Sequence, residues 1–109
     1  MTPPTPPDAD TRAIAIYIEY EPLPGCLDAL QARMQNECDE CIREDEGCLR
    51  MELSLPDPPD GRLLLAELWR DQAALDAHKN KPGHSHEWQK TLVAAKRVSR
   101  CRVVLSPQK

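Results

Sequence analysis

The sequence predicts an α+β fold in which strands and helices follow one another in the order β-α-β-β-α-β. Strand segments are indicated by two-residue alternation of apolar and polar side chains, or by short unbroken apolar runs. Helical segments are indicated by apolar residues that recur at steps of three and four. Breaks rich in proline and glycine separate these segments. At 109 residues, the chain is long enough for one domain with one modest core.

Composition and charge argue against several classes of protein. Hydrophobic residues make up 40% of the chain and charged residues 29%, as in ordinary globular domains. The formal net charge of −4 argues against a nucleic-acid partner, because phosphate binding needs a basic face. No apolar run approaches the roughly 20 residues of a membrane helix. Since the N-terminus also lacks the pattern of a signal peptide, we expect a cytoplasmic protein without a membrane partner.

The chain divides into a tail and one folded part. Residues 1–12 contain four prolines and almost nothing apolar, which predicts a disordered tail. Residues 13–109 are predicted to form a single domain. Its first strand is predicted over residues 13–21, with a strongly apolar face formed by Ile14, Ile16, Ile18 and Tyr20. The opposite face of this strand is mixed and carries Ala15, Tyr17 and Glu19.

The middle of the chain predicts a helix and a pair of strands. A helix is expected over residues 24–45, with an apolar stripe formed by Leu27, Leu30, Met34, Cys38 and Cys41. Gly47 stands in the usual stop position of this helix. Residues 48–55 alternate again, with one face formed by Leu49, Met51, Leu53 and Leu55. Residues 62–69 follow after a short turn and are apolar on both faces, as in a buried central strand.

The last third of the chain predicts a broken helical segment and a final strand. Asp71 is placed to cap a short helix over residues 72–80. Pro82 and Gly83 end it, and a further helix is expected from about Ser85 to Arg97. Residues 98–105 then form the last strand. The whole pattern is ferredoxin-like, with an antiparallel sheet that helices cover on one face only.

The second face of this sheet needs a cover. Because a soluble monomer rarely exposes a large apolar patch, we expect a homodimer whose two sheets face each other, a dimeric α+β barrel. The space between the sheets is predicted to be lined by the mixed faces of the strands, with Tyr17, Glu19, Arg50, Glu52, Glu67 and Trp69. Arg100 and Arg102 join this set if the last strand turns the same way.

Three local motifs on this pattern resemble the antibiotic biosynthesis monooxygenase family. The first is the run E-D-E-G-C-L entering the second strand, from Glu44 to Leu49. The second is E-L-W, from Glu67 to Trp69, followed by a helix with alanine, leucine and His78. The third is a second histidine, His84, although Gly83 interrupts the Pro-His pair common in the family. The resemblance covers residues 13–105 and implies a dimeric α+β barrel.

The resemblance also implies a range of activities. Family members include cofactor-independent monooxygenases of phenols, quinols and polyketides, haem-degrading enzymes, a signal-molecule isomerase, and proteins with no known substrate. The haem-degrading branch matches poorly, because it carries an aromatic residue where His78 stands. We expect a monooxygenase that joins dioxygen to a small aromatic substrate, with no cofactor and no bound metal. An isomerase of a small carbonyl compound and a non-catalytic binding or stress-response dimer remain alternatives.

His78, Trp69 and Glu67 are the main candidate site residues. His78 is the expected catalytic base, since an imidazole suits proton transfer at neutral pH; a helix-end histidine bonded to a backbone carbonyl is the alternative. Trp69 and Glu67 are expected to bind the ring and the hydroxyl of the substrate, together with Tyr17, Arg50 and His84. Core packing of Trp69 and a salt bridge from Glu67 to Arg50 or Arg100 are the alternatives.

The remaining histidines and the cysteines suggest a metal only weakly. His84 and His86 flank a loop, where they form a lid contact or, less plausibly, a metal pair with His78. Cys38 and Cys41 lie on the apolar stripe of a helix, where packing is the simpler explanation. Copper or zinc bound by this pair with Cys48 is the alternative.

Overall fold

A computed structural model describes residues 12–109 of the chain. The predicted tail, residues 1–12, therefore lies almost entirely outside the described residues. The strands are β1 (Ile14–Pro22), β2 (Cys48–Ser54), β3 (Leu63–Trp69) and β4 (Val93–Arg102). The α-helices are α1 (Leu27–Glu44) and α2 (Gln72–Lys79), and a short 3₁₀ helix covers Glu87–Thr91. Within the described part of the chain, no helix is long and apolar enough to cross a lipid bilayer.

The four strands form one antiparallel sheet in the order β2-β3-β1-β4. Together with the element order along the chain, this is the ferredoxin-like arrangement, and the predicted fold class is confirmed. The two central strands are β3 and β1, which explains why residues of β3 are apolar on both faces.

The core lies between one face of the sheet and the two α-helices. Helix α1 contributes its predicted stripe, in which Leu30, Met34, Cys38 and Cys41 are buried. Helix α2 contributes Ala74 and Leu75. The sheet contributes the apolar face of β1 together with alternate residues of β3, of which Trp69 and Leu63 are almost completely buried. Burial of these side chains is the main stabilising contribution to the fold.

The strand register corrects the predicted placement of Glu67 and Trp69. Trp69 pairs with Ile14 and Glu67 with Ile16, so both side chains lie on the helix-covered face. The sequence predicts them on the opposite face, and this prediction is wrong. Alternation assigns residues of one strand to common faces, but only pairing with a neighbouring strand decides which face is covered.

A β-bulge in β2 also changes which of its residues share a face, compared with the prediction. The pairing of β2 with β3 shifts between Cys48 and Arg50, so that Leu49 has no partner in the ladder. As a result Cys48 is buried on the helix-covered face with Met51, while Leu49 is half-exposed. The sequence predicts Leu49 and Met51 on one face, which a strand without a bulge would give.

The predicted helix from Ser85 to Arg97 is also wrong. Only the short 3₁₀ helix forms, and β4 begins at Val93 instead of residue 98. Residues 93–102 pair with β1 along its whole length, so ladder hydrogen bonds outweigh the helical preference of the alanines there. In this register Lys96, Val98 and Arg100 pair with Tyr20, Ile18 and Ile16, which puts them on the helix-covered side of the sheet.

Candidate functional site

A cavity of about 240 Å³ opens between the helix-covered face of the sheet, α2 and the segment that follows α2. Apolar side chains form most of its wall, including Ile16, Ile18, Met34, Met51, Leu65 and Leu75. Its polar lining residues include Glu67, His78, His84 and His86. The cavity is built by one chain, whereas the sequence predicts a cavity between two sheets that only a dimer closes. Of the residues predicted to line that space, Glu67 and Trp69 face the helices instead.

His78 lies in the last turn of α2 and is tied to Asp45, the residue after α1. The N-terminus of α2 is capped as predicted, since the Asp71 side chain accepts a hydrogen bond from the Ala74 amide at 2.8 Å. His78 Nδ1 is 2.7 Å from Asp45 Oδ2, and both side chains are largely buried. The other oxygen of Asp45 accepts a hydrogen bond from Lys81 Nζ at 3.3 Å.

The charge on Asp45 fixes the state of the histidine ring. Burial would raise the pKa of Asp45, but the hydrogen bonds from His78 and Lys81 outweigh it and hold the pKa below its ordinary value. An ionised carboxylate accepts a hydrogen bond from Nδ1–H, so the neutral ring carries its lone pair on Nε2. Nε2 lies on the edge of the ring away from Asp45. The pair therefore has the arrangement of an oriented general base.

Four rings form a column along one side of the site. The ring centroids of Trp69 and His78 are 4.7 Å apart, those of His78 and His84 are 4.5 Å apart, and those of His84 and His86 are 4.7 Å apart. Burial and the charge of His78 lower the pKa of His84, and burial and the charge of His84 lower that of His86. Both rings are therefore neutral at pH 7, and they lie next to the candidate base.

Glu67 and Trp69 are joined side by side on β3. Trp69 Nε1 donates a hydrogen bond to Glu67 Oε1 at 2.8 Å. Burial raises the pKa of Glu67, and the hydrogen bond from Trp69 opposes this shift only partly. Glu67 is therefore a carboxyl group that is easier to protonate than an exposed one. The salt bridges that the sequence offers as the alternative, to Arg50 or Arg100, do not form among the described residues.

We expect Glu67→Gln to stabilise the fold at high pH only. Because the pKa of Glu67 is raised in the folded state, its favourable contribution is present below the unfolded pKa of about 4.3 and is lost as pH rises through the folded pKa. Glutamine keeps a carbonyl oxygen for the Trp69 hydrogen bond and never ionises. Thermal melts should show a higher Tm than wild type at pH 8 and no difference at pH 4. A shift that is equal at both pH values, or one matched by the exposed control Glu21→Gln, would contradict this expectation.

Three of the predicted substrate-binding residues do not line the cavity. Trp69 is fully buried in the core, which is the packing alternative that the sequence leaves open. Tyr17 is half-exposed on the helix-free face, where it pairs with Ala66 and Ser99. Arg50 is exposed and its Nη2 contacts Glu52 Oε2 at 2.6 Å on the same side of β2. The tyrosine that lines this cavity is Tyr20, whereas Tyr17 lies on the helix-free face where the sequence predicts it.

Three donor groups, His78 among them, are close enough to one another to hold a metal ion. Atoms of Cys41, Asp45 and His78 lie within 4.8 Å of one another, and Cys41 Sγ is 3.9 Å from His78 Nδ1. Burial raises the pKa of the Cys41 thiol, and it raises that of Cys48 to about 11, so both are neutral thiols at pH 7. A metal ion ligated by Cys41 would have to displace its thiol proton. The proposed set of Cys38, Cys41 and Cys48 is split, since Cys38 packs in a different part of the core.

The sequence misses four polar residues of the site. Asp45 lies in the quoted E-D-E-G-C-L run, but no spacing rule connects it to His78, 33 residues away. Tyr20, Gln89 and Lys96 line the cavity from β1, the 3₁₀ helix and β4. A buried polar side chain such as Gln89 points to a site once the structure is known. The sequence predicts a longer helix there and does not show that Gln89 is buried.

Solved structures share this fold. A protein from Shewanella oneidensis is similar with a TM-score of 0.75 and 24% identity, covering 85% of this chain and 92% of its own. A candidate antibiotic biosynthesis monooxygenase from Deinococcus radiodurans has a TM-score of 0.76 and 17% identity, covering 88% and 97%. A haem-degrading protein from Mycobacterium tuberculosis has a TM-score of 0.68 and 18% identity, covering 91% and 99%. At these identities the likeness concerns the fold alone.

Comparison of the sequence with protein-family models identifies the family of the chain. No curated protein matches the chain. The model of a protein family described as antibiotic biosynthesis monooxygenase does match, over residues 13–91. This match runs from β1 to the end of the 3₁₀ helix and contains Asp45, Glu67, Trp69 and all three histidines. The chain therefore belongs to the antibiotic biosynthesis monooxygenase family.

Proposed function

We propose that this protein is a cofactor-independent monooxygenase of a compact aromatic substrate with a ring hydroxyl, of the phenol, quinol or polyketide type. The observation that carries the proposal is the largely buried His78–Asp45 pair, whose histidine lines an apolar cavity. Family membership supports oxygenation as the chemistry. The column of rings beside His78 supports a flat substrate, because aromatic faces and edges pack favourably against a planar ring.

The role proposed for His78 is removal of the hydroxyl proton. Asp45 holds the ring through Nδ1, so Nε2 accepts the proton and Asp45 stabilises the imidazolium that forms. The positive ring then faces the substrate anion, which keeps the charge pair together inside the cavity. Trp69 supports one side of the His78 ring, and its own hydrogen bond to Glu67 fixes the indole.

The oxygen step needs no external reductant. The substrate anion transfers one electron to dioxygen, and the substrate radical and superoxide combine to a peroxide. Loss of water from the peroxide, with the proton returned from His78, leaves one oxygen atom in the product. For a quinol the balance is quinol plus dioxygen giving hydroxyquinone plus water, so the substrate supplies all four electrons that dioxygen accepts.

The size of the cavity supports a small substrate. A volume of about 240 Å³ is below the range of roughly 300–1,000 Å³ that is usual for sites of drug-sized ligands. One or two fused rings are the better fit, and a porphyrin is a poor one. This agrees with the poor match of the sequence to the haem-degrading branch.

A non-oxidative isomerase is the second candidate, since a base beside a protonatable carboxyl also suits proton shuttling next to a carbonyl group. The base would be His78 and the carboxyl group Glu67, whose pKa burial raises. An isomerase converts its substrate without consuming dioxygen. A binding module without catalysis converts nothing, so measurements of oxygen and of substrate together separate the three.

We also propose a homodimer in which the helix-free faces of two sheets pack together. The central part of this face is apolar and only partly buried in one chain, with Tyr17, Leu64, Ala66 and Leu68. Sedimentation equilibrium at micromolar concentration should give twice the 12.3 kDa mass of one chain. A single species of 12 kDa would contradict this proposal.

The test of the proposed function is oxygen uptake by the purified protein with a menadiol-type quinol and a panel of phenols. Uptake is expected without added flavin, haem or metal, and it should persist after treatment with a chelator. Absence of uptake across the panel would count against the proposal. A stoichiometric metal whose removal stops the uptake would overturn the cofactor-free assignment and direct attention to Cys41, Asp45 and His78.

A further inference from the structure

The cavity mouth is basic although the chain as a whole is acidic. Lys79 at the end of α2 and Lys96 and Arg100 on β4 all line the cavity, in a chain of formal net charge −4. Within residues 12–109, none of these three cations forms a salt bridge with a carboxylate. Arg100 hydrogen-bonds instead to the amide oxygen of Gln72, at the start of α2. The mouth therefore has positive charge that no carboxylate among the described residues neutralises through a salt bridge.

Lys96 is held in place by buried polar groups. Its Nζ donates a hydrogen bond to Gln89 Oε1 at 3.1 Å, and Gln89 is only 7% exposed. Gln89 in turn hydrogen-bonds to the side chain of Tyr20, which is 2% exposed. Burying an amide and a phenol is unfavourable unless both are hydrogen-bonded. This chain of three side chains thus fixes an ammonium group at the edge of an apolar cavity, which core packing alone would not require.

The carboxyl groups in the cavity do not cancel this charge. Glu37 pairs with Arg33 on the surface of α1. Glu67 lines the same cavity on β3, and the hydrogen bond from Trp69 and the charges of His78, Lys79 and Lys96 only partly oppose the rise of its pKa on burial. The cavity therefore sets this one carboxyl group, whose pKa burial raises, against two lysines and an arginine.

We propose that Lys96, with Lys79 and Arg100, forms an anion-binding subsite at the cavity mouth, and that the hydroxylated aromatic substrate carries a carboxylate there. This inference rests on the proposed function only in taking the cavity as the substrate site. The ring enters between α2 and β4 with its hydroxyl toward His78. The carboxylate remains at the mouth, where the ammonium of Lys96 donates a charge-assisted hydrogen bond. The subsite fixes which end of the substrate reaches His78.

Binding measured without oxygen tests this subsite separately from catalysis. We use a matched pair of ligands, 6-hydroxy-2-naphthoate and the neutral 6-hydroxy-2-naphthamide, in anaerobic calorimetry. The carboxylate is expected to bind about tenfold more tightly than the amide, because one partly desolvated charge-assisted hydrogen bond is gained. This preference should weaken as salt is raised. Equal affinity for the two ligands, or no binding of the carboxylate at millimolar concentration, would overturn the proposal.

Variants assign the effect to Lys96. Lys96→Gln is expected to abolish the preference for the carboxylate and leave the affinity for the amide unchanged. Lys96→Arg keeps the charge and should retain most of the preference, which excludes misfolding as the cause. The matched control is Lys90→Gln, the same change at a lysine that is 77% exposed and pairs with Glu87. If Lys90→Gln and Lys96→Gln weaken carboxylate binding equally, the effect is one of net charge and the subsite is refuted.

The two proposals fail in different ways. Loss of oxygen chemistry together with an intact carboxylate preference contradicts the monooxygenase and leaves the subsite. Oxygen uptake that depends on His78, together with equal binding of the two ligands, contradicts the subsite and leaves the monooxygenase.

Discussion

Replacement of His78 by glutamine is expected to lower kcat for quinol-dependent oxygen uptake by about 10²- to 10⁴-fold, the usual contribution of a positioned general base. Glutamine can still donate a hydrogen bond to Asp45, so the buried carboxylate keeps a partner and the fold is retained. What is lost is the nitrogen lone pair that accepts the substrate proton. Oxygen-electrode rates at saturating quinol, with circular dichroism as a check of folding, measure the effect.

The controls separate the role of the base from the integrity of its helix. Asp76→Asn changes an exposed residue of α2 whose carboxylate contacts only Gln72 among the described side chains, and it should keep wild-type rates. Asp45→Asn should give an intermediate loss of about 10- to 100-fold, because a group that orients a functional histidine is removed while the histidine remains. If His78→Gln retains wild-type uptake, His78 is not the base and the proposed mechanism is wrong.

Replacement of Gly47 by alanine is expected to have the largest effect on stability. A Cβ atom at Gly47 would lie 2.0 Å from the Cβ of Ala74 and 3.3 Å from its Cα. Ala74 is buried in α2, and the backbone beside Gly47 is held by a hydrogen bond from the Arg70 amide to the Gly47 carbonyl at 2.8 Å. Neither side can move freely, so we expect a loss of about 2–4 kcal/mol, as for overpacking of a tight core.

A compensating change gives this prediction its control. For a domain of this size, the loss corresponds to a decrease in Tm of roughly 10–20 °C in thermal melts. Gly47→Ala combined with Ala74→Gly removes the clash and should recover most of the Tm, apart from about 1 kcal/mol for glycine inside a helix. If Gly47→Ala melts like wild type, or if the double variant melts no higher than Gly47→Ala, the close contact is not the reason for glycine at this position.

The same contact is expected to affect the site. Gly47 and Ala74 bring the turn after α1 against α2, and His78 and Asp45 meet from these two segments.

The sequence predicts Gly47 only as a helix stop. In the structure its φ is not positive, in contrast to Gly25, Gly61 and Gly83, so the requirement for glycine comes from space and not from backbone conformation.

The sequence by itself determined the fold class, the number and order of the strands, the capped helix α2 and the family of this protein. These features depend on neighbours along the chain: alternation in β1, the apolar stripe of α1, the Asp71 cap and three short motifs. Local patterns depend only on residues close together in the chain, so they can be recognised without knowing what packs against them.

Only the tertiary structure decided which face of the sheet carries the site. Trp69 and Glu67 turn toward the helices because they pair with Ile14 and Ile16, and this leaves Tyr17 and Arg50 on the other side. The partners of the site come from distant positions: Asp45 lies 33 residues from His78, and β4 replaces a predicted helix and supplies Lys96. Strand register, bulges and contacts between distant segments are set by packing of the whole chain, and no local pattern records them.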